Sequence, residues 1–212
     1  MRRTRAVIGL SAVGAGVVVL VIALAAAGGT SSRRASDPSR RGTSIPNTRR
    51  ASGPFAWLHP ASAPAGWPVV RIADGAALAY PPGWRAIKTD PGTASVALRG
   101  SGGLIDGYLN VTPKQGAETL ANWSRFRPRK NREEGARKVS LLAAIRAAQF
   151  GSARSSCVID QYTTSLTTYE EIACLVSGSG SSNVVVAAAP TRVWRERSAV
   201  LERAVAGFTG RS

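Results

Sequence analysis

Read from the N-terminus, the chain divides by the texture of its apolar positions. Residues 6–29 carry no charge and consist almost wholly of Val, Leu, Ile, Ala and Gly. As a helix such a run is about 36 Å long, enough to cross a bilayer. Residues 30–54 are mostly Ser, Thr, Arg, Pro and Gly, with Ile45 as the only large apolar residue. They bury too little to offset the entropy of ordering, so they read as a flexible tether with a typical reach of about 25–30 Å. From residue 55 onward short apolar runs alternate with Gly and Pro, and a folded domain is expected over 55–212. Val69 to Ala73 and Ala76 to Tyr80 read as strands joined by a two-residue turn at Asp74-Gly75, because Asp-Gly supplies positive φ angles. Trp84 to Lys88, Ser95 to Arg99 and Gly107 to Thr112 follow as strands. A helix then carries Leu120, Trp123, Ser124 and Arg127 on one face and is expected to stop at Pro128. Val139 to Phe150 fits strand alternation and a helical face about equally, and is taken as a strand. Val184 to Ala189 is a further strand. Val193, Val200, Leu201, Ala204, Val205 and Phe208 mark the inner face of a last helix. Strands, helix, strands, helix is the order of an α+β domain with an antiparallel sheet flanked by helices, here preceded by one transmembrane helix.

The sharpest geometry lies in Cys157-Val-Ile-Asp-Gln-Tyr162 and Tyr169-Glu-Glu-Ile-Ala-Cys174. A hairpin turning between Ser165 and Leu166 sets Cys157 against Cys174, Ile159 against Ile172 and Tyr162 against Tyr169. Opposed cysteines in a non-hydrogen-bonded pair lie at the separation a disulfide requires. Reduced core cysteines are the rival reading.

Charge changes the picture only at the N-terminal end. The chain carries 28 Lys+Arg against 12 Asp+Glu, a net charge of +16. Nine Arg and one Asp fall in residues 1–54, so half of the excess lies outside the expected domain. Arg2, Arg3 and Arg5 form a basic cytoplasmic tip over residues 1–5, and the apolar run after them is too long for the core of a cleaved signal peptide, the rival reading. We take residues 6–29 as an uncleaved signal anchor. Arg33, Arg34, Arg40, Arg41, Arg49 and Arg50 follow the span, and by the positive-inside count they favour a cytoplasmic domain. A disulfide requires an oxidising compartment, and long domains translocate largely regardless of charge. The expected placement is therefore a single-pass protein of the cell membrane with its C-terminal domain extracytoplasmic.

Ala77-Leu78-Ala79-Tyr80-Pro81-Pro82-Gly83-Trp84 after Gly75, the mid-chain helix with Trp123, and the terminal helix after a long hairpin resemble the PsbP-like α/β/α sandwich family over residues 66–210. That family includes lumenal photosystem proteins, a eukaryotic Ran-binding protein and actinobacterial cell-envelope lipoproteins. The resemblance implies a binding or assembly role rather than a fixed activity. The chain departs from it in having an apolar anchor in place of a lipidated cysteine, and in its cysteine pair. Its high Ala, Gly and Arg content is similar to that of actinobacterial proteins. Tyr80 and Trp84 are read as core and turn residues.

Catalytic groups are poorly supplied. The one histidine, His59, sits beside Pro60 without Cys or His at ligand spacing, and no phosphate-binding loop, dinucleotide fingerprint or nucleophile elbow occurs. No metal or other cofactor is implied. One carboxylate pair survives: the hairpin register opposes Asp160 to Glu171, and like charges at that distance raise one pKa, as in acid/base or metal sites. A hydrolase or metal-dependent enzyme on that pair is the alternative to a non-catalytic module, and the plainer expectation is a solvated pair on an outer face. A basic cluster, Arg125, Arg127, Arg129, Lys130 and Arg132, continues through Arg137 and Lys138 with only Glu133 and Glu134 to offset it. It is either a solvated helix end or a patch for anionic lipid, wall polymer or an acidic protein, while extracytoplasmic placement argues against nucleic acid.

Overall fold

Short apolar runs, alternating in some strands and continuous in others, form nine strands in the computed structural model, which describes residues 53–210. The expected span at 6–29 and nearly all of the tether at 30–54 lie outside the described residues. Among the described residues no helix is long and apolar enough to cross a membrane. A small hairpin, β1 (Val69–Arg71) and β2 (Ala77–Ala79), precedes a seven-stranded antiparallel sheet. Its strands are β3 (Arg85–Ile87), β4 (Ala94–Arg99), β5 (Ile105–Pro113), β6 (Arg137–Phe150), β7 (Ala153–Thr163), β8 (Thr168–Ser177) and β9 (Ser182–Pro190), in the order β3-β4-β5-β9-β8-β7-β6. After β5 the chain crosses one face as α1 (Trp123–Glu133), enters at the far edge as β6, and returns by three hairpins until β9 pairs with β5. Then α2 (Trp194–Ala206) covers the opposite face, where Leu201, Ala204, Val205 and the following Phe208 pack on Leu109, Val111, Ile172 and Val185.

The β7–β8 register is the expected one, with Cys157 opposite Cys174, Ile159 opposite Ile172 and Tyr162 opposite Tyr169. Cys157 and Cys174 are joined by a disulfide within the α2-side core, with Cα atoms 4.1 Å apart. The turn closes through the Thr164 N–H donating to the Thr167 carbonyl at 2.9 Å. Residues one step out of phase, Val158, Ala173, Leu175, Val184 and Val186, form a second core beneath Trp123 of α1. The Trp123 indole N–H donates to the Ala173 carbonyl at 2.9 Å and fixes the helix to the sheet. Packing also explains Gly107, since a Cβ there would stand 2.5 Å from the buried Trp84 ring.

Two local expectations change, and a third holds with irregularities. The Asp74-Gly75 turn has three residues rather than two. Ile72 and Ala76 pair across it, Gly75 takes φ +92°, and the Ala76 N–H donates to the Asp74 carboxylate at 2.9 Å. A left-handed third residue gives a longer loop the twist its strands need. Pro128 does not end α1. The stop lies at Gly135 (φ +92°), where the Gly135 and Ala136 N–H groups donate back to the Arg132 and Asn131 carbonyls in a Schellman motif. The expected strand from Val139 is present as β6, and its register shifts three times against β7, with Lys138 and Ala147 at positive φ. Each bulge adds a residue and breaks the two-residue period. That is why the segment also looked helical.

Candidate functional site

The elements that matter meet where α1 lies on β6 and β7. Helix periodicity places Trp123, Arg127 and Asn131 at successive four-residue steps facing the sheet. Opposite them the β7–β8 pairing brings Asp160 and Glu171 side by side. The solvated carboxylate pair is thereby corrected: both side chains are fully buried beneath the helix. Next to them on this face lie the apolar Val158, Ala173, Leu175, Val184 and Val186, which need a cover, and α1 supplies it together with counter-groups for the acids.

Arg127 is also placed differently from the outer patch expected of it. Its Nε and Nη2 donate to the two Glu171 carboxylate oxygens at 2.6 and 2.8 Å, a bidentate ion pair with only 14% of the Arg127 side chain exposed. Burial works against the guanidinium charge, but adjacent Glu171 outweighs it and the net shift is upward. Among the described residues, Asp160 has no cation in direct contact. The Asn131 amide nitrogen stands 3.4 and 3.3 Å from its two oxygens. Burial first, and the neighbouring Glu171 charge second, push the Asp160 carboxyl up to about 8. At neutral pH Asp160 thus keeps its proton and Glu171 is balanced by Arg127, leaving the cluster without net charge. The same burial raises the Tyr108 and Tyr162 hydroxyls above their ordinary value, and Tyr108 shares a hydrogen bond with Ser95 at 3.1 Å. A catalytic acid or base needs a substrate atom within about 3 Å. Neither carboxylate here offers an exposed atom.

The remaining candidates stay on the surface. Arg125, Arg129 and Arg132 are exposed and Lys130 is half-buried. Arg129 pairs with Glu133 at 3.3 Å and lies over the Phe126 ring, and Lys130 pairs with Glu134 at 3.8 Å. Arg132 donates to the Val139 carbonyl at 3.0 Å, which carries the basic surface from the helix onto β6 and the exposed Arg137 and Lys138. His59 is exposed, and no group of three or more His, Cys, Asp or Glu side chains among the described residues is placed to hold a metal. One feature had no counterpart in the sequence reading. At the opposite end of the sheet a cavity of about 420 Å³ opens between the β6–β7 turn and the end of α2, lined by Phe150, Val176, Asn183 and Phe208. Its walls come from segments far apart in the chain, so no local motif marks it.

No family model matches this chain, and no curated protein matches it. Solved structures do. The solution structure of cyanobacterial PsbP (CyanoP) from Synechocystis aligns over 70% of this chain and 94% of that one, at 16% identity and a TM-score of 0.52. The fold is PsbP-like. A Pseudomonas aeruginosa protein of unknown function, described as a putative regulator, aligns over 69% of this chain and 98% of its own at 12% identity and a TM-score of 0.47. LpqN of Mycobacterium tuberculosis, described as involved in cell envelope biogenesis, aligns over 64% and 86% at 14% identity and a TM-score of 0.35. At those scores neither carries weight. In this PsbP-like domain α1, its buried ion pair and the disulfide hairpin share one half of the sheet, and the basic surface is the outer side of that half.

Proposed function

We propose that this protein is a non-catalytic binding or assembly module of the cell envelope, anchored by residues 6–29 with its PsbP-like domain outside the membrane, and that it engages an anionic partner through the outer side of α1 and the start of β6. The observation that carries the reading is the division of charge by α1. Its inner side holds Arg127 on Glu171 and seals both carboxylates, while its outer side carries Arg125, Arg129 and Arg132 in solvent. The buried disulfide supports an oxidising location. Capture of crosslinked partners by the full chain from detergent extracts tests the reading. Partners are expected at low salt, and they should be lost at 1 M salt, where the screening length falls to about 3 Å. They should also be lost from the Arg125→Ser/Arg129→Ser/Arg132→Ser variant, which leaves Arg127 in place. Full retention by that variant would overturn the reading, and loss with Asp160→Asn alone would favour chemistry at the carboxylates.

A further inference from the structure

We infer that the corner formed by the start of β6 and the tip of the β7–β8 hairpin is a docking surface for an anionic bilayer, an inference that rests on the anchored binding-module reading above and adds a lipid contact to it. Three leucines there face water. Leu141 and Leu142 are 45% and 50% exposed, and Leu166 at the hairpin tip is 73% exposed. Neighbouring residues on a regular strand point to opposite faces. Here the register shift between Leu141 and Ala143 leaves Leu142 as an added residue without a partner on β7, and both leucines remain in solvent. Exposed Arg137 pairs with Thr163, three residues from Leu166, so Arg137 and Lys138 lie between the leucine pair and the hairpin tip. Arg132 reaches the same strand through the Val139 carbonyl.

Apolar side chains interspersed with cations suit a membrane interface, where the leucines enter the headgroup boundary and the cations meet lipid phosphates. A second copy of this edge would bring Arg137 and Lys138 against the like charges of its partner, so charge disfavours self-association. Of the acids around this edge, Glu133 and Glu134 are engaged by Arg129 and Lys130 on the helix, and half-buried Glu170 accepts from the Gln161 amide at 2.9 Å across the hairpin. Exposed Arg132, Arg137 and Lys138 outnumber that one carboxylate and set the sign of the corner. A domain tethered within about 25–30 Å of its anchor also meets the lipid surface at high effective concentration.

The test uses the full chain in nanodiscs of neutral phosphatidylcholine or of phosphatidylcholine with phosphatidylglycerol. A polarity-sensitive dye is placed on Ser140→Cys, and on Ala86→Cys at the opposite edge as control. Several-fold brighter, blue-shifted emission is expected from position 140 in anionic discs alone, reversed by 1 M salt. Arg137→Ser/Lys138→Asn should lower the docked-to-free ratio by roughly tenfold or more, and Leu141→Ser/Leu142→Ser should abolish the shift. Equal emission from both disc types overturns the proposal. If salt-sensitive capture of a protein through the basic surface persists in that case, the binding-module reading stands and the partner is an acidic protein. A shift that also appears in neutral discs and in detergent assigns the corner to a segment of the chain itself and likewise overturns it. Failure of the chain to enter discs overturns the anchored reading, and this inference with it.

Discussion

Replacing Arg127 with Met leaves the Glu171 carboxylate buried without its counter-ion, and such a loss destabilises by about 3–5 kcal/mol. The companion substitution Glu171→Leu in the same chain should recover most of it, because a hydrophobic pair of similar volume is often neutral or better than a buried ion pair. Urea unfolding followed by tryptophan fluorescence reads both. Asp160 makes a prediction of opposite sign. Its folded carboxyl is raised from 3.8 to about 8, so the native state holds a proton that the unfolded chain has released between those values. Stability from this group is complete below the lower value and is lost as pH rises through the upper one. Asp160→Asn should flatten that slope and stabilise the protein at pH 9 by about 1–3 kcal/mol relative to wild type, with little change at pH 4. A wild-type unfolding midpoint that does not move over this range would refute the buried neutral acid. The pairing of Asp160 with Glu171 was legible in the sequence, but their burial was not. The residues in phase with them, Val158, Ala173 and Leu175, are apolar, and this was the available sign that the face is covered. The spacing of Arg127 and Asn131 by four on a helix was the matching sign of what covers it.

Elements were legible where their signals were periodic and failed where a single residue had to be weighed against its context. Opposed like residues fixed the β7–β8 hairpin to the exact pair, and the apolar face of α2 was plain. Pro128 misled because a proline inside a helix removes one backbone hydrogen bond without forbidding the helix, and here Trp123, Pro128 and Asn131 are all buried against the rest of the domain. Gly135 carried the true stop, through a left-handed conformation that glycine adopts at little cost. In β6 the bulges mix two periods, which no count of alternation can separate. Two variants test how the elements hold together. Cys157→Ala/Cys174→Ala removes a link across 17 residues and should cost about 2–4 kcal/mol in chain entropy, with a further penalty for the space left in the core. Gly107→Ala forces the Trp84 ring to move and should cost about 1–3 kcal/mol. A Gly107→Ala unfolding midpoint equal to wild type would mean that the ring shifts freely.

At the scale of the whole molecule, the sequence order of strands and helices sufficed for the fold class, because alternating patterns and two amphipathic helices leave few ways to cover both faces of one antiparallel sheet. What stayed hidden was how the two faces differ. One is apolar with a disulfide, the other has a neutralised acid cluster under α1, and the difference arises from contacts between residues 44 apart, such as Arg127 and Glu171. The disulfide also gives the proposed topology a test. Cys157 and Cys174 are fully buried, so thiol reagents must be applied after denaturation to report the redox state rather than access. Chain taken from intact cells, quenched with acid and unfolded, should therefore take up no label unless reductant is added, and should then take up two labels per chain. The same chain made in a reducing cytoplasm without its N-terminal 29 residues should label without reductant and unfold at lower urea, since it lacks the cross-link. Full labelling of the native product without reductant would place the domain in a reducing compartment, and the positive-inside count over Arg33 to Arg50 would then give the orientation.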